Sequence, residues 1–539
     1  MKRAMKILAL LLVCLIVVSV TACGKGNDAS TSNSPSNNAS TSGTSSPDSN
    51  TNSSSSSGKD TLVIATTSDR GTLDPVYARG GDVNNALGNI YETLWIFDSD
   101  GNRVWKLATG LDIIEPTKWI VHVREGVKFS NGNDFDAEDV LFSLWRATRR
   151  EGHPNDCQYL DYENCKVIDK YTIEINFTQH NIGHEISFAG YSGLGMFDKD
   201  SYDEEHIPLN PMGTGPYYLD DYVVNGHVYL EARDDYWGDA PHIKHLKFMM
   251  VAEDAQRVNS LQTGAVDICP APFQDVAYIQ DSIPGYSVDI ISGTLSQALY
   301  MSLNPASIFY NNIDARKAVA LCINKQGLVN IAYSGYASAS RLPASMGIAD
   351  VDPAMVDYGI YGLGYNLELA KELAEKSGIV GKDALLINNG GSADRVMCEL
   401  IQEACREIGL NVTVQSLDQG SWLPTIFSPE SYDMCIDMVS GNTVAGAIYG
   451  WARIGTGGSP YDDEYADKER FVELLDKVMM VSDPAQLREM SIELVKLHTD
   501  SFFKWFALVD AQSATAYSDN LNVVRDYYNT ILWDKCSWK

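Results

Sequence analysis

The chain has 539 residues, of which 45% are hydrophobic and 21% are charged. This length predicts two or three domains, and the composition is that of a globular protein. The formal net charge of −30 disfavours nucleic acid and anionic lipid headgroups as partners, because such a surface repels both. We therefore expect no nucleic-acid partner, and the charge keeps the protein soluble without indicating its fold.

The first 22 residues have the pattern of a secretory signal. Three basic residues precede an apolar run from Ile7 to Val18, which is too short to span a bilayer, since that takes roughly 20 residues. Cys23 directly follows small residues, and this arrangement resembles a bacterial lipoprotein signal. The resemblance implies cleavage before Cys23 and acylation of its thiol, so the protein is expected on the extracytoplasmic face of the bacterial cell membrane, touching the membrane only through that lipid. An ordinary signal or a short membrane anchor is the alternative.

Residues 23–59 join Cys23 to a tract of Ser, Thr, Asn, Gly and Pro, which cannot bury apolar surface and predicts a disordered tether. No cysteines after Cys23 form a C-x-x-C pair, which argues against zinc-ribbon and thioredoxin-like sites. Cys157 and Cys165 could close a short disulfide loop, and this pairing stays open. Cys398 and Cys405 lie two turns apart on one predicted helix and are expected to be small buried residues.

The predicted elements of the first half are mostly strands. Residues 61–68 are rich in strand-forming residues, and residues 119–123 and 172–177 alternate apolar and polar side chains, as half-buried strands do. Between the latter two, Asp136 is placed to cap a helix that has Asp139 in its first turn. Residues 98–101 predict a hairpin turn and lack the spaced oxygen ligands of a calcium loop.

The second half alternates helices and strands. Asn366 and Gly378 have the residue types that begin and end a helix, and Asp483 with Pro484 predicts the start of another. Between them, a strand over residues 384–387, a helix ending at Gly409 and an alternating strand follow in order. This β-α-β unit predicts a parallel pair with a right-handed crossover, so the fold class is α/β in more than one domain.

No set of residues points to catalysis. The sequence lacks a G-x-S-x-G elbow, a phosphate-binding loop, a dinucleotide fingerprint and the second histidine of a zincin. His180 and His184 are close in sequence, as are His242 and His245, but surface or core positions are favoured over metal ligation for each. We therefore expect a protein that is not an enzyme and that holds no cofactor and no metal.

Three groups of motifs occur in one order along the chain. They are V-R-E-G-V-K-F-S-N-G at 123–132 with A-E-D-V at 137–140; G-T-G-P-Y at 213–217 with Y-W-G at 236–238 and G-A-V-D at 264–267; and D-A-R-K-A at 314–318 with a helix-forming stretch at 365–378. Together they resemble the extracellular solute-binding proteins of family 5, the receptors of oligopeptide, dipeptide and nickel ABC importers. The resemblance extends from about residue 60 to the C-terminus.

The resemblance implies an α/β, two-lobed periplasmic-binding-protein-like fold with an extra inserted domain, the three-domain type II architecture. The domain boundaries it implies are a signal at 1–22, the tether at 23–59, a first lobe at 60–92, 212–305 and 508–539, an inserted domain at 93–211 and a second lobe at 306–507. A solute held between the lobes stabilises the closed state, which the permease of an ABC importer then distinguishes from the open one. The protein is expected to be a monomer.

The motifs that hold the ends of a peptide in this family are incomplete here. Where peptide receptors have Gly-Trp-x-x-Asp after a strand, residues 440–443 are S-G-N-T, and if Trp451 is the equivalent instead, no acid follows it. Where dipeptide receptors have an Arg for the α-carboxylate, residues 388–391 are N-N-G-G. An unpaired charged end is costly in a closed cleft, so a dipeptide is disfavoured. A longer peptide held through its backbone, or an uncharged polar solute, stays open.

Nine residues near strand ends or with large side chains are candidate ligand contacts: Asp69, Trp105, Asn388, Asn389, Trp422, Ser440, Asn442, Trp451 and Arg453. For the Asn and Asp residues the alternative is loop capping, and for the Trp residues it is packing. The leading hypothesis is a lipid-anchored receptor that delivers an oligopeptide to an ABC importer. The alternatives are the same fold binding a non-peptide polar solute or nickel, a sensory receptor, and a surface-anchored hydrolase, for which the sequence shows no nucleophile with a base.

Overall fold

A computed structural model describes residues 59–68, 72–77, 83–98, 101–148, 159–189, 194–202, 210–426, 428, 431–453, 465–526 and 529–539. These residues belong to one compact unit, Ser57–Lys539. The predicted lipoprotein signal, Cys23 and nearly all of the predicted tether lie outside the described residues. Within the described part, no helix is both long enough and apolar enough to cross a bilayer.

The chain starts in the main sheet and then leaves it for a smaller one. In chain order the elements are β1 (Thr61–Thr66), α1 (Val83–Ile90), β2 (Trp95–Phe97), β3 (Arg103–Trp105), β4 (Ala108–Glu115), β5 (Lys118–Val123), α2 (Ala137–Thr148), β6 (Lys166–Asp169), β7 (Thr172–Asn176) and α3 (His184–Ser187). β2 and β3 form an antiparallel hairpin, and the smaller sheet has the antiparallel order β4-β5-β7-β6. α2 packs on β6 and β7, and its Val140 and Leu144 share a core with Trp95 and Trp119.

The rest of the chain completes the main sheet. Its elements are β8 (Tyr217–Val223), β9 (His227–Ala232), β10 (His245–Met250), α4 (Asp254–Gln262), β11 (Ile268–Pro270), α5 (Val276–Ser282), β12 (Tyr286–Met301), α6 (Ile313–Cys322), α7 (Lys325–Ala332), β13 (Ser338–Ala339), α8 (Ile360–Leu363), α9 (Leu367–Ser377), β14 (Asp383–Asn388), α10 (Ser392–Glu407), β15 (Asn411–Ser416), α11 (Gln419–Ile426), β16 (Met434–Ser440), α12 (Val444–Arg453), α13 (Lys468–Val478), α14 (Pro484–Leu497), β17 (Trp505–Ser518), β18 (Leu521–Asn522) and β19 (Ser537–Trp538). A π-helical turn, His498–Phe502, precedes β17.

Two long antiparallel strands, β12 and β17, run through the main sheet. Their register is interrupted between Ser292 and Ser296 of β12. On one side of this break β17 pairs with β11, and β1, β10, β9 and β8 follow; on the other side β12 pairs with β16, and β14 and β15 follow. The order of the described strands is therefore β15-β14-β16-β12-β17-β11-β1-β10-β9-β8, with β13 beside β17. The break divides the sheet into two halves that share only these two strands.

A buried polar cluster lies at the break. Asp510 of β17 is opposite Ser296 of β12, and its carboxylate accepts hydrogen bonds from the hydroxyls of Ser296 and of Ser340, the latter at 2.9 Å. The ammonium of Lys325 donates to the carbonyl of Ser340, and burial lowers the pKa of Lys325 to about 8. The cluster thus joins both crossing strands to the segment after β13 and to α7.

The helix ends and the β-α-β unit predicted from the sequence are confirmed. The side chain of Asn366 accepts from the N–H of Leu369 at the start of α9, and Gly378 ends that helix in the left-handed region at φ +73°. Asp483 caps α14 in the same way, with Pro484 as its first residue. β14 and β15 are parallel strands joined by α10, as the alternating pattern indicates.

The cysteines also follow the sequence reasoning where they are described. Cys398 and Cys405 are fully buried on α10. Cys165 is a buried free thiol that donates to the carbonyl of Asp161 at 3.3 Å, while Cys157 lies outside the described residues. Cys398 and Cys405 are therefore small packing residues, as expected.

The G-T-G-P-Y motif is explained by close packing against the end of α1. A Cβ on Gly213 would lie 1.9 Å from the carbonyl oxygen of Ile90, and one on Gly215 would lie 2.3 Å from that of Asn89. The N–H of Gly215 instead donates to the Ile90 carbonyl at 2.9 Å. Only glycine leaves room for this approach, so the packing of the chain on the end of α1 requires the two glycines of the motif.

The Y-W-G motif satisfies a buried carboxylate. Glu92 is almost fully enclosed, and it accepts one hydrogen bond from the Tyr236 hydroxyl and one from the Trp237 indole N–H, each at 2.8 Å. The ammonium of Lys106 lies 3.4 Å from the same carboxylate. Three groups thus compensate the cost of burying the charge of Glu92, and they hold residues 236–237 against the start of the hairpin region.

Arginine side chains in or beside the motifs are also structural. The guanidinium of Arg233 donates to the carbonyls of Lys128 and Phe129 at 3.1 and 3.2 Å, which fixes the turn in the first motif. Arg316, in the third motif, is fully buried and donates to the carbonyl of Phe502 at 3.0 Å. The motifs that reveal the family resemblance therefore stabilise the scaffold.

A buried ion pair fastens α2 to the segment after β1. Arg146 and Asp74 form two parallel contacts, Nη2 to Oδ2 at 2.5 Å and Nη1 to Oδ1 at 3.4 Å, and both side chains are nearly inaccessible. The guanidinium also lies 4.9 Å from the ring of Phe197 and 5.0 Å from that of Tyr202. The smaller sheet is therefore anchored to the main sheet by charge as well as by apolar packing.

Candidate functional site

The ends of two neighbouring parallel strands bring several predicted residues together. β14 and β16 are paired with Leu386 opposite Met434, so their carboxyl ends lie at the same edge of the sheet. Residues at or after these ends are Asn388, Asn389, Ser440 and Asn442, and the helix that follows β16, α12, carries Trp451 and ends at Arg453. In an α/β sheet this edge is where ligands bind. Four of the nine candidate contacts, Asn388, Asn389, Ser440 and Asn442, are thus assigned to one region by the backbone, whereas Trp451 and Arg453 lie at the other end of α12.

The two asparagines after β14 shape their own loop. Asn388 is fully buried, and its Oδ1 accepts from the N–H of Gly390 at 2.9 Å. The Oδ1 of Asn389 accepts from the N–H of Gly391 at 2.9 Å, and its side chain also bonds to Asp394. The capping alternative therefore describes both side chains, and the half-buried Asn389 is the better placed of the two to meet a ligand.

The three predicted tryptophans occupy different environments. Trp105 packs edge-on against Trp95, with ring centroids 5.8 Å apart, in the hairpin of β2 and β3. Trp422 is buried in the large core of the second half of the sheet. Trp451 is half-buried on α12, with its ring 5.4 Å from that of Tyr300. Packing describes all three, since Trp451 also packs on the core of the second half, and their roles as ligand contacts stay predictions.

The remaining predicted contacts are less fully described. Asp69 lies outside the described residues, and so does the side chain of Arg453. Ser440 is half-buried at the end of β16, opposite Leu295 of β12, and Asn442 is exposed in the following turn. Their roles as ligand contacts stay predictions.

One side of β16 is uncovered near this edge. β16 pairs with β12 from Met434 to Ser440, but with β14 only at Met434 and Cys435. No other strand of the described residues pairs with β16, so from Ile436 to Ser440 one side has no strand partner. We call this side, residues 436–440, the open edge. Met438 lies within it and is 41% exposed, although the rest of the strand is mostly buried.

A buried carboxyl group, Asp437, lies in the same stretch. It is only 8% exposed, and its Oδ1 accepts from the N–H of Met438 at 2.9 Å. Burial, together with repulsion from Asp394, raises the pKa of Asp437 to about 7. The Tyr300 hydroxyl donates to the carbonyl of Met438 at 3.0 Å, so both backbone groups of this residue have partners.

Asp437 is absent from the nine predicted contacts, although the sequence carries a clue. Residues 434–439 are M-C-I-D-M-V, and an aspartate inside an apolar strand is unusual because strands disfavour Asp. Asp394, the third residue of α10, is a second buried acid near this edge, and burial raises its pKa to about 7 as well. Two carboxyl groups therefore lie close to the open edge.

Within the part of the chain that the structure describes, three hydrogen bonds join the predicted inserted domain to the predicted second lobe. They are the hydroxyls of Tyr159 and Tyr449 at 2.7 Å, the N–H of Ile182 to the carbonyl of Met479 at 2.9 Å, and Nε2 of His180 with the hydroxyl of Ser482 at 2.9 Å. We call these the closing contacts. Tyr449 is on α12, the helix that also carries Trp451, so one of them is directly connected to the candidate site.

Comparison with known proteins identifies the family. The model of the bacterial extracellular solute-binding proteins, family 5 Middle, matches residues 104–459, which is more than half of the chain. The chain is a family 5 extracellular solute-binding protein. The family consists of extracytoplasmic binding proteins rather than enzymes, and the resemblance carried by the three groups of motifs is confirmed.

Relatives and solved structures agree with this assignment. The solute-binding protein is 25% identical over 375 residues to the glutathione-binding protein GsiB of Salmonella paratyphi A, covering 67% of this chain and 70% of that one. DppA of Helicobacter pylori, solved with the peptide STSA, superposes with a TM-score of 0.78 at 21% identity, covering 89% of this chain and 98% of that one. NikA of Brucella suis, solved with Fe(III)-EDTA, gives 0.76 at 16% identity, covering 89% and 100%.

These likenesses confirm the predicted fold class, an α/β two-lobed binding-protein fold with an extra inserted domain. The same fold serves a protein solved with a peptide and one solved with a metal chelate. The fold of the solute-binding protein therefore does not select its ligand, and the ligand must be argued from the site. The residue boundaries of the three domains stay a prediction.

Proposed function

We propose that this solute-binding protein captures an oligopeptide between its lobes and delivers it, chemically unchanged, to the permease of an ABC importer. The observation that supports this most directly is the open edge of β16. An uncovered strand edge presents N–H and C=O groups in a row, and an extended peptide adds one strand by pairing with those that have no partner within the protein, which here excludes the two groups of Met438. Recognition of this kind uses the backbone of the ligand and tolerates many side chains.

The absence of the usual end-gripping residues fits the same proposal. Residues 440–443 and 388–391 lack the acid and the arginine that would pair with the two ends of a short peptide. Backbone pairing along residues 436–440 makes affinity depend on the middle of the ligand, so its charged ends are free to reach solvent. The DppA structure with STSA is a precedent for a peptide in this fold.

The further parts of the proposal come from the sequence. Cleavage before Cys23 and acylation of its thiol place the protein on the extracytoplasmic face of the cell membrane, and the polar tract up to residue 59 lets the folded part move above it. We infer a monomer that works with the permease subunits.

The proposal is tested first by native mass spectrometry of the purified protein. A ladder of peptide masses supports it, whereas a single non-peptide mass favours the polar-solute alternative.

The open edge is then tested with tetra-alanine and with its analogue methylated on the two central amide nitrogens. Each N-methyl group removes one backbone donor, so calorimetry should show much weaker binding of the analogue. Equal affinities would contradict backbone pairing, and a shift in melting temperature with nickel would favour the metal alternative.

A further inference from the structure

The two strands that cross the main sheet have unequal lengths at the break. Ser292 of β12 pairs with Gln512 of β17, and the next pair along the strands is Ser296 with Asp510. Residues 293–295, which we call the bulged stretch, therefore lie opposite a single residue of β17. An excess of residues on one strand interrupts the ladder and bends the sheet locally. Since the two halves of the sheet share only β12 and β17, we expect a rotation of one half against the other to be absorbed here.

Residues 338–347, which we call the bridging segment, are fixed to the half of the sheet that contains β14 and β16. The segment begins with β13, which pairs with β17. The indole N–H of the fully buried Trp505 donates to the carbonyl of Pro343 at 3.0 Å. The carbonyl of Ser340 accepts from the ammonium of Lys325. These bonds attach the bridging segment to the start of β17 and to α7, so it moves with that half.

The end of the bridging segment reaches the bulged stretch of β12. Ser345 is fully buried, and its hydroxyl donates to the carbonyl of Gly293 at 3.2 Å. The N–H of Gly347 donates to the same hydroxyl oxygen at 3.1 Å. A Cβ on Gly347 would lie only 2.3 Å from the carbonyl oxygen of Gly293. The backbone at residue 347 can therefore approach the bulged stretch this closely only because it carries no side chain.

This contact depends on the angle between the lobes. Gly293 lies in the predicted first lobe, whereas Ser345 and Gly347 lie in the predicted second lobe. A change in the bend of the sheet moves the bulged stretch, but the bridging segment is held by Trp505 and Lys325 and does not follow. The closing contacts are formed in the same structure, so the approach to Gly293 accompanies the closed arrangement of the lobes.

We propose that the bridging segment limits and stabilises closure of the lobes through its contact with Gly293. The meeting of residue 347 with the carbonyl of Gly293 sets the angle at which closure ends, and the Ser345 hydroxyl stabilises that angle. This goes beyond the proposed function, because it concerns the movement of the lobes and holds for any solute. A side chain at residue 347 would keep the lobes from closing fully, and loss of the Ser345 hydroxyl would make closure less favourable.

The test traps the closed state with an engineered disulfide and needs no ligand. The N–H of Ile182 donates to the carbonyl of Met479 at 2.9 Å, so Ile182→Cys with Met479→Cys brings two thiols within disulfide reach when the closing contacts are formed. Oxidised glutathione is the oxidant: the two thiols lose two protons and two electrons, and the glutathione disulfide is reduced to two thiols. Peptide mapping by mass spectrometry then follows the bond between positions 182 and 479 in the full-length protein.

Two variants are compared in this background with a matched control. Ser345→Ala should slow formation of the bond about fivefold, as the loss of one neutral hydrogen bond predicts. Gly347→Ala should slow it about tenfold or more, because its Cβ overlaps a backbone carbonyl, and it should raise the radius of gyration measured by small-angle scattering. Gly327→Ala, whose Cβ would have no neighbour closer than 3.5 Å, should leave the rate and the radius unchanged.

The outcomes decide the proposal without reference to the ligand. If Ser345→Ala and Gly347→Ala form the bond at the rate of the control and keep its radius of gyration, the role of the bridging segment in closure is overturned. Gly347 is exposed, and thermal unfolding shows whether its variant folds; if it does not, Ser345→Ala decides alone. Because no solute is present, failure of the oligopeptide proposal, read by mass spectrometry of the purified protein, leaves this result unchanged.

Discussion

Removing one closing contact should weaken ligand binding by a defined amount. The hydroxyls of Tyr159 and Tyr449 are 2.7 Å apart, and they link residues 290 positions apart in the chain. A neutral hydrogen bond contributes about 1 kcal/mol net, which corresponds to about a fivefold change in an equilibrium constant. If this bond forms only in the closed state, Tyr159→Phe and Tyr449→Phe should each raise the dissociation constant of the captured peptide about fivefold.

The assay is isothermal titration calorimetry with the peptide found in the purified protein, together with small-angle scattering without ligand. The radius of gyration of each variant should rise slightly as the open form gains population. Because the two hydroxyls serve the same bond, the double variant should lose no more than either single variant. The control is Tyr218→Phe, which removes an exposed hydroxyl bonded to Glu231 on the neighbouring strand. Affinities unchanged from that control, or additive losses in the double variant, would refute the reasoning.

Three further predictions concern stability. Gly213→Ala should lower the melting temperature by several degrees because its Cβ would collide with a carbonyl, whereas Gly450→Ala, with open space around it inside α12, should raise the stability by about 0.5–1 kcal/mol. Arg146→Met and Asp74→Asn should each lower the free energy of unfolding, measured with denaturant, by about 3–5 kcal/mol. The double variant should lose less than the sum of the two single losses, and an additive loss would contradict the prediction. The pKa of Asp437 is about 7 in the fold and near 3.8 when unfolded, so the native state binds the proton more tightly and the stability of the wild type should fall as the pH rises from about 4 to 7. Asp437→Asn should then be about 1–4 kcal/mol more stable than the wild type at pH 8. Equal pH profiles of stability for the two proteins would contradict this prediction.

Local signals in the sequence predicted the scaffold well, because they act within a few residues. Asn366 and Gly378 mark the ends of α9 through hydrogen bonds and a left-handed backbone that need no tertiary context. The order of strand, helix and strand around α10 likewise predicts a parallel pair. The family motifs are recognisable for the same reason, since glycines such as Gly213 are required by one close backbone approach.

The ligand contacts stay predictions, and they are harder to infer from sequence because they depend on which distant segments become neighbours. Trp105, Trp422 and Trp451 look alike in sequence, and only the fold shows that Trp105 packs against Trp95, Trp422 is buried in the large core and Trp451 packs on Tyr300. The burial of Asp437 is likewise visible only in the fold, although an aspartate inside an apolar strand is unusual.

The path of the chain through the main sheet determines which half of the molecule can move relative to the half that carries both described termini. β12 leads the chain out of the near half of the sheet, which contains β1, and β17 leads it back. The far half, which contains β14, β15 and β16, is therefore formed by one continuous segment of chain, and both described termini lie in the near half. A lipid at the N-terminus would therefore attach the protein to the membrane through the near half of the sheet. The far half would have no membrane attachment of its own, and removing residues at either end of the described chain would leave its connection through β12 and β17 unchanged.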